Sequence, residues 1–329
     1  MDRVRVFMFW PGPSADNYYR IWLPANYCGR ELYGHGVEVV WGPEFPLGEP
    51  FDCYWVHGII DALDIAHLEA RHDAGCRIVW DLDDDYWEFP QDEVPQWEWI
   101  EPRLPAQAAL LDLADLIVVS TEPLAKVLEV PDKTIVCPNL VEPFDTRLPP
   151  RIPGPTRFLV AGSYVHDKTV VAVLTDPILR LSRELRGQAE FIFLGACPPR
   201  LKPFVTHIEA VPFDDYWPTL RDIAPDVWLM PMVSSPYMDC KTPLKWIESA
   251  RAGAALIVSD VPTYRTETKC NRVLVAGVKD WEAEIRDLYR DPMRQRILCE
   301  NARQELMTNH SWTSPARGVW LEAFRRALS

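Results

Sequence analysis

The chain has 329 residues, 48% of them apolar and 25% charged; this is ordinary globular composition, and it exceeds what a single hydrophobic core usually holds, so two domains are expected. Proline is abundant at 31 and glycine scarce at 15, which excludes collagen-like repeats and Gly/Ser linkers and predicts stiff loops. The net charge of −14 is unevenly spread: residues 1–150 hold 27 acidic against 10 basic residues and the remainder 21 against 24, so the first half is a poor surface for a phosphate backbone.

No apolar run approaches the ~18 to 20 residues of a membrane span, and the start MDRVRVFMFW lacks the features of a signal peptide, so a cytoplasmic protein is expected. The eight cysteines are scattered without a C-x-x-C pair, the pattern of reduced, buried thiols. The seven histidines show no H-x-x-x-H spacing, and no metal site is expected.

In chain order, short β-type runs alternate with helix-length amphipathic segments, the pattern of α/β layering around parallel sheets. Strands are predicted at 3–9, 37–41, 52–56, 76–81, 116–120 and 134–138, with helices over 16–32, 62–74, 104–114 and 122–128. Residues 142–155 contain five prolines and little periodicity, and form the linker. A second series follows, with strands at 157–163, 189–195, 207–211, 226–232, 254–259 and 271–275, and helices over 281–289, 292–307 and 315–328. The expectation is an α/β fold of two Rossmann-like domains, 1–148 and 149–314, facing across a cleft, with function in the loops beyond the carboxyl ends of the strands.

Four segments carry chemistry. In Val160–Lys168, the Gly162-Ser163 turn ends a strand where a helix begins, so backbone N–H groups can meet an anion, with His166 and Lys168 adding charge. A plain turn capped by Ser163 or Asp167 competes with that reading. In Ser234–Ser259, a helix ending at Gly253 puts Lys241, Lys245 and Glu248 at i, i+4 and i+7 on one face near its positive end. A diphosphate would relieve the repulsion between the lysines, and Glu248 would accept from a ribose diol; a Lys245/Glu248 surface pair is the competing account.

Strand 76–81 runs into DLDDDYW, Asp81 to Trp87. Four carboxylates within five residues are expected to avoid the core and face a cleft or solvent, because unpaired buried charge is costly. A metal-binding D-x-D, an Asp nucleophile and an acceptor-positioning loop are all consistent with them. Asn17–Pro24, NYYRIWLP, puts Tyr18, Tyr19 and Arg20 at a strand-end loop, with an aromatic core face as the alternative. Trp87, Trp97 and Trp99 flank the acidic loop and suit stacking on a sugar or a base. His57, alone at a strand end, reads as structural.

The order of YYRIWLP, IVWDLDDDYW, ADLIVVSTEPLAKVL, IVCPNLVE, FLVAGSYVHDK, DVWLMPM and KTPLKWIESARAGAALIVSDVPTYR resembles the GT-B-fold glycosyltransferases, in particular compact family 4-like enzymes, over nearly the whole chain. The resemblance implies transfer of a sugar from a nucleotide-diphosphate donor, a UDP-sugar, to an acceptor hydroxyl, with retention and without a metal or other cofactor. It implies donor binding by Gly162, Ser163, His166, Lys168, Phe213, Asp239, Lys241, Lys245 and Glu248. Glu248 matches the second glutamate of the family's E-x7-E motif, whereas Cys240 stands where the first belongs, beside Asp239. Lys241 and Lys245 would stabilise the leaving diphosphate and Asp83 and Asp84 would orient or deprotonate the acceptor, which Tyr19, Arg20, Asp85 and Trp87 would hold. The last helix, 315–329, would pack back on the first domain. The acceptor class stays open: small molecule, glycan, protein or modified base. Transfer to a hydroxymethylated base in viral DNA, an Mg-dependent haloacid-dehalogenase-like phosphatase using Asp81 and Asp83, and an inert nucleotide-binding module are the rival functions.

Overall fold

The computed structural model describes residues 3–46, 51–162, 167–265 and 271–329. They divide into two compact units, one of residues up to Pro143 with Asp239–Thr242 and Asn309–Ser329, the other of Phe144–Met238 with Pro243–Thr308. Each is built on a six-stranded, all-parallel sheet, as expected of continuous Val/Ile/Leu runs buried on both faces.

In the first unit, β1 (Val4–Phe9), β2 (Val37–Gly42), β3 (Cys53–His57), β4 (Arg77–Leu82), β5 (Leu116–Val119) and β6 (Thr134–Val136) lie in the order β2-β1-β3-β4-β5-β6. The chain reverses direction of winding between β1 and β3, so the ends of those two strands form a topological switch point, where open α/β sheets bind ligands. Side chains alternate across the sheet. Tyr54, Val56, Ile78, Trp80, Leu82, Ile117 and Val119 enter one core with α3 (Ala62–Asp73) and α5 (Leu104–Leu113). Trp55, His57, Val79 and Asp81 therefore point to the opposite face.

The predicted helix over 16–32 is three pieces: α1 (Ala15–Asn17), a π turn over Tyr18–Trp22, and α2 (Leu23–Tyr33). Pro24 has no N–H to continue an α ladder, and the wider π turn absorbs the gap. The extra residue also turns Tyr19, Arg20 and Ile21 all inward. Two further helices, α4 (Val94–Ile100) and α6 (Glu122–Val127), complete this part; α4 is absent from the sequence reading.

The second unit holds β7 (Thr156–Gly162), α7 (Asp167–Glu184), β8 (Ala189–Gly195), β9 (Thr206–Ile208), α8 (Phe213–Ile223), β10 (Val227–Met230), α9 (Pro236–Cys240, whose Asp239 and Cys240 count with the first unit), α10 (Leu244–Ala252), β11 (Ala255–Ser259), β12 (Val273–Val275), α11 (Trp281–Arg290) and α12 (Pro292–Asn309, whose Asn309 counts with the first unit). Its sheet order, β12-β11-β10-β7-β8-β9, puts its switch point between β7 and β10. Arg303, buried on α12, donates to the Ala250 and Arg251 carbonyls at the end of α10 and to those of Asp145, Thr146 and Arg147. It thus satisfies a helix C-terminus and fastens the first residues of the unit.

The last helix, α13 (Arg317–Ala327), contacts α2, β4 and β5 of the first unit. Its Trp320 and Phe324 meet Trp55 at ring-centroid distances of 6.4 and 4.7 Å, covering the sheet face that carries His57 and Asp81. The seven described cysteines are free thiols. Among the described residues no helix is long and apolar enough to cross a membrane.

Candidate functional site

In the first unit, chemistry gathers at the carboxyl ends of β1, β3 and β4. Register pairs His57 with Asp81 across β3 and β4, so both project from one face, toward the π turn and α13. Arg20 reaches that face fully buried: its Nε and Nη2 donate to Asp81 Oδ1 and Oδ2 at 2.7 and 2.9 Å, and Nη1 donates to the Cys137 carbonyl and to Asn139 Oδ1. Trp320 packs on the guanidinium, 4.7 Å from its ring centroid. Asp81 is also fully buried. A bidentate, stacked guanidinium is the arrangement that offsets the desolvation of two buried ions.

His57 Nδ1 lies 3.0 Å from Asp81 Oδ1 and 3.2 Å from the Asp81 carbonyl oxygen. Both neighbours only accept, so Nδ1 carries a proton and Nε2 is directed to the other side. There Asp83 Oδ1 stands 3.7 Å away. Gly58, at φ +71°, turns the chain away after His57 and donates its N–H to the Asp81 carbonyl, a left-handed step suited to glycine.

Asp83 is 9% exposed, and its carboxylate accepts no hydrogen bond from a described residue. Burial, then the nearby Asp16 carboxylate, push its pKa up to about 7 against the pull of His57. For His57, burial opposes the charged form, but Asp83 and the Asp81 hydrogen bond outweigh it and its pKa is raised. Charge on either group favours the opposite charge on the other, so their protonation is linked, and a linked pair is suited to passing a proton to or from a bound hydroxyl. Asp84 is held by Lys241, whose Nζ donates to its two oxygens at 2.7 and 2.8 Å. Thr121 Oγ1 donates to the Cys240 carbonyl at 2.7 Å and Asn139 Nδ2 to Thr242 Oγ1 at 3.4 Å, so Asp239–Thr242 is fixed to the first unit along its length.

In the second unit, Lys245 and Glu248 project from α10 beside β10 and β11. Lys245 Nζ donates to Glu248 Oε2 at 2.6 Å and Tyr216 Oη donates to the same oxygen at 2.8 Å. Glu248 is 2% exposed, and its Oε1 accepts from no described residue. Lys245 also lies 5.8 Å from the Trp228 ring centroid. The carboxylate is thereby held as a rigid acceptor. At the end of β7 the chain passes so close to β8 that a Cβ on Gly195 would sit 2.5 Å from the Gly162 carbonyl oxygen. Phe213 opens α8, half-buried; Asp239, which counts with the first unit, lies in the single turn of α9.

Several expectations are corrected. Lys241, Lys245 and Glu248 do not share one helix: Pro243, in a non-helical conformation, stops the ladder, α10 begins at Leu244, and Lys241 lies outside it, paired with Asp84. The Lys245/Glu248 pair at i, i+3 forms instead, with the carboxylate buried and the lysine half-buried. The carboxylates of the DLDDDYW segment do not avoid the core, since Asp81, Asp83 and Asp85 are all buried. Partners offset the cost for Asp81, and protonation lowers it for Asp83.

Tyr19 and Arg20, expected to hold an acceptor, are 1% and 0% exposed and belong to the core. Asp85 is buried at the start of the turn Tyr86–Glu88, and burial raises its pKa. Trp87 is half-buried, edge-on to Trp80 at 6.1 Å. Asp81 cannot serve as a phosphatase nucleophile with both oxygens engaged and no exposure. Cys240 packs in the first unit's core, and burial followed by the surrounding carboxylates pushes its thiol up to about 11, so it does not replace the missing glutamate chemically. Ser163 and His166 lie outside the described residues; Lys168 is in the first turn of α7. Sequence reasoning set His57 aside as structural and did not foresee that it stands between Asp81 and Asp83. The available signal was its position at the end of a strand adjoining the Asp81 strand at the switch point.

No protein-family model and no curated protein sequence matches the chain. Solved structures match over nearly its whole length. A glycosyltransferase from Rickettsia africae has a TM-score of 0.64 at 11% identity, covering 99% of this chain and 100% of that one. Anabaena HepE, solved in complex with UDP-glucose, has a TM-score of 0.62 at 12% identity and 98% coverage of both chains. TarM of Staphylococcus aureus has a TM-score of 0.61 at 11% identity over 84% of this chain, which spans only 55% of TarM. The chain has the two-domain GT-B fold.

Proposed function

We propose that the protein is a glycosyltransferase that moves a sugar from a UDP-sugar to an acceptor hydroxyl. The observation that carries this reading is Glu248, buried on α10 at the second unit's switch-point side and held through one oxygen by Lys245 and Tyr216, with Oε1 left to accept from a ribose diol. The full-length likeness to a structure holding UDP-glucose supports the choice of donor. Lys245 supplies positive charge to the leaving diphosphate. In the first unit, Asp83 takes the proton from the acceptor hydroxyl, His57 tunes that carboxylate, and Arg20 with Asp81 fixes the imidazole. The acceptor oxygen bonds to the anomeric carbon as the bond to the diphosphate breaks, and the electron pair leaves with UDP.

Calorimetric titration with UDP and UDP-glucose tests the donor half. Lys245→Ala is expected to weaken UDP binding about tenfold, roughly 1.4 kcal/mol, and also to lower the melting temperature of the second unit, because buried Glu248 loses its cation, so binding is measured well below the variant's own transition. Tight UDP binding in that variant, or none in the parent chain, overturns the assignment. Proton NMR of the sugar product then reads retention or inversion directly, and free sugar without a glycosylated product would mark hydrolysis instead.

A further inference from the structure

We infer that the acceptor is an uncharged oligosaccharide, and that Trp10 and Trp41 hold the sugar units next to the one that reacts. This deepens the reading above and rests on its placing the acceptor on the first unit. Phe7 and Phe9 at the end of β1 and Val40 of β2 turn to the core that holds Tyr54 and Val56. Met8 and Trp41, which are register partners, therefore take the opposite face, with His57. Trp10 joins them. Its N–H donates to the Gly42 carbonyl at 2.7 Å, which carries the ladder one residue past β1, and its ring centroid lies 5.5 Å from that of Trp41. Met8 stands against Trp55 on β3, so the same register continued by two residues sets Trp10 level with His57. Trp41, Trp10 and His57 thus form one row across β2, β1 and β3, whose neighbours lie ~4.8 Å apart. That step is close to the spacing of successive rings in a linear glycan, and β2 is the edge strand, so the row runs outward from the reacting groups.

The chemistry of the two rings is a separate observation. Trp41 is 41% exposed and Trp10 is half-buried, and neither indole N–H donates to a described residue. Each ring therefore shows water an apolar face beside an open hydrogen-bond donor. A pyranose is the complement of that pair, a face of C–H groups rimmed by hydroxyl acceptors, whereas an acyl chain would leave both donors unused. The rings also stand on rigid backbone. Phe9 stacks on Phe45 at 4.7 Å with planes 6° apart, which ties the segment after β2 to the end of β1, and a fixed aromatic surface loses little freedom on binding. Nucleobases stack on indoles too, but their phosphates would meet a unit of 28 acidic against 13 basic residues, a net −15. A neutral glycan meets no such repulsion.

The full chain, applied to an array of immobilised neutral mono-, di-, tri- and tetrasaccharides together with sulfated and phosphorylated ones, tests this, with UDP titrated in parallel. Binding is expected on neutral tri- and tetrasaccharides. In solution, the trisaccharide bound best should exceed its own monosaccharide about tenfold in affinity, with no change between ~50 and ~500 mM salt. Trp41→Ala, an exposed change, should remove about that tenfold from the trisaccharide and leave the monosaccharide unmoved, and Trp41→Phe, which keeps a stacking face, should recover most of it. Binding of no neutral glycan, equal affinity for tri- and monosaccharide, preference for the sulfated or phosphorylated glycans, or a trisaccharide affinity untouched in Trp41→Ala overturns the inference. A parent dimer that Trp41→Ala dissolves in sedimentation also overturns it, by putting a second copy on the rings. Glycan binding without UDP binding would leave it standing and sink the proposed donor, and UDP binding without glycan binding would sink it alone.

Discussion

Replacing Asp83 by asparagine should make the protein more stable and inactive at once. The folded carboxyl keeps its proton up to about pH 7, whereas its ordinary value is 3.8. Between those values the native state binds more protons than the unfolded chain, so this group makes stability fall as pH rises, with the loss complete above pH 7. At ~1.4 kcal/mol per unit, the full loss is on the order of 4 kcal/mol. The amide of the Asp83→Asn variant cannot ionise and does not suffer it. Part of the gain is returned, because an imidazolium at His57 loses a favourable neighbour, so the figure of about 4 kcal/mol is a ceiling. The variant and the parent should therefore melt together near pH 4, and by pH 8 the variant should melt up to ~10 °C higher in the first unit's transition. The assay is a melting series followed by tryptophan fluorescence across that range. Turnover should meanwhile drop by at least ~100-fold, the usual worth of a positioned base. Melting curves that run parallel at every pH would refute the burial argument, and preserved turnover would refute the proton-transfer role.

Three other substitutions, at two residues, probe the support of that carboxyl. Arg20→Met leaves Asp81 buried without its cation and should cost the first unit ~3–5 kcal/mol by denaturant titration; Arg20→Lys recovers little of it, lacking the bidentate fork. A loss under about 1 kcal/mol would show that water replaces the guanidinium. His57→Gln should lower kcat by ~10²–10⁴-fold and move the pH-rate profile, with UDP affinity intact; a profile unchanged in shape would assign His57 to packing alone.

The strands and the α/β class were legible because they follow from local periodicity and from where the prolines stand. AEFIFLG forms β8 over the residues predicted for it, since a run buried on both faces admits few other conformations. Local order also carried the wrong message in two places. Periodicity put Lys241 and Lys245 on one helix face, and it ignored that Pro243 stops a helix from continuing backward through Thr242. A pattern of four acidic residues looked incompatible with a core, yet Asp81 is fully buried.

Whether a buried charge is tolerated depends on its partner, and partners here come from far along the chain: Arg20 is 61 residues from Asp81, and Lys241 is 157 from Asp84. The amino-acid order by itself determined which segments became strand or helix, because those preferences act within a few residues. Only the tertiary structure decided which carboxylates are neutralised, which one holds its proton to about pH 7, and that His57 faces it. Those properties arise from desolvation and Coulomb energy between groups that the fold alone brings together.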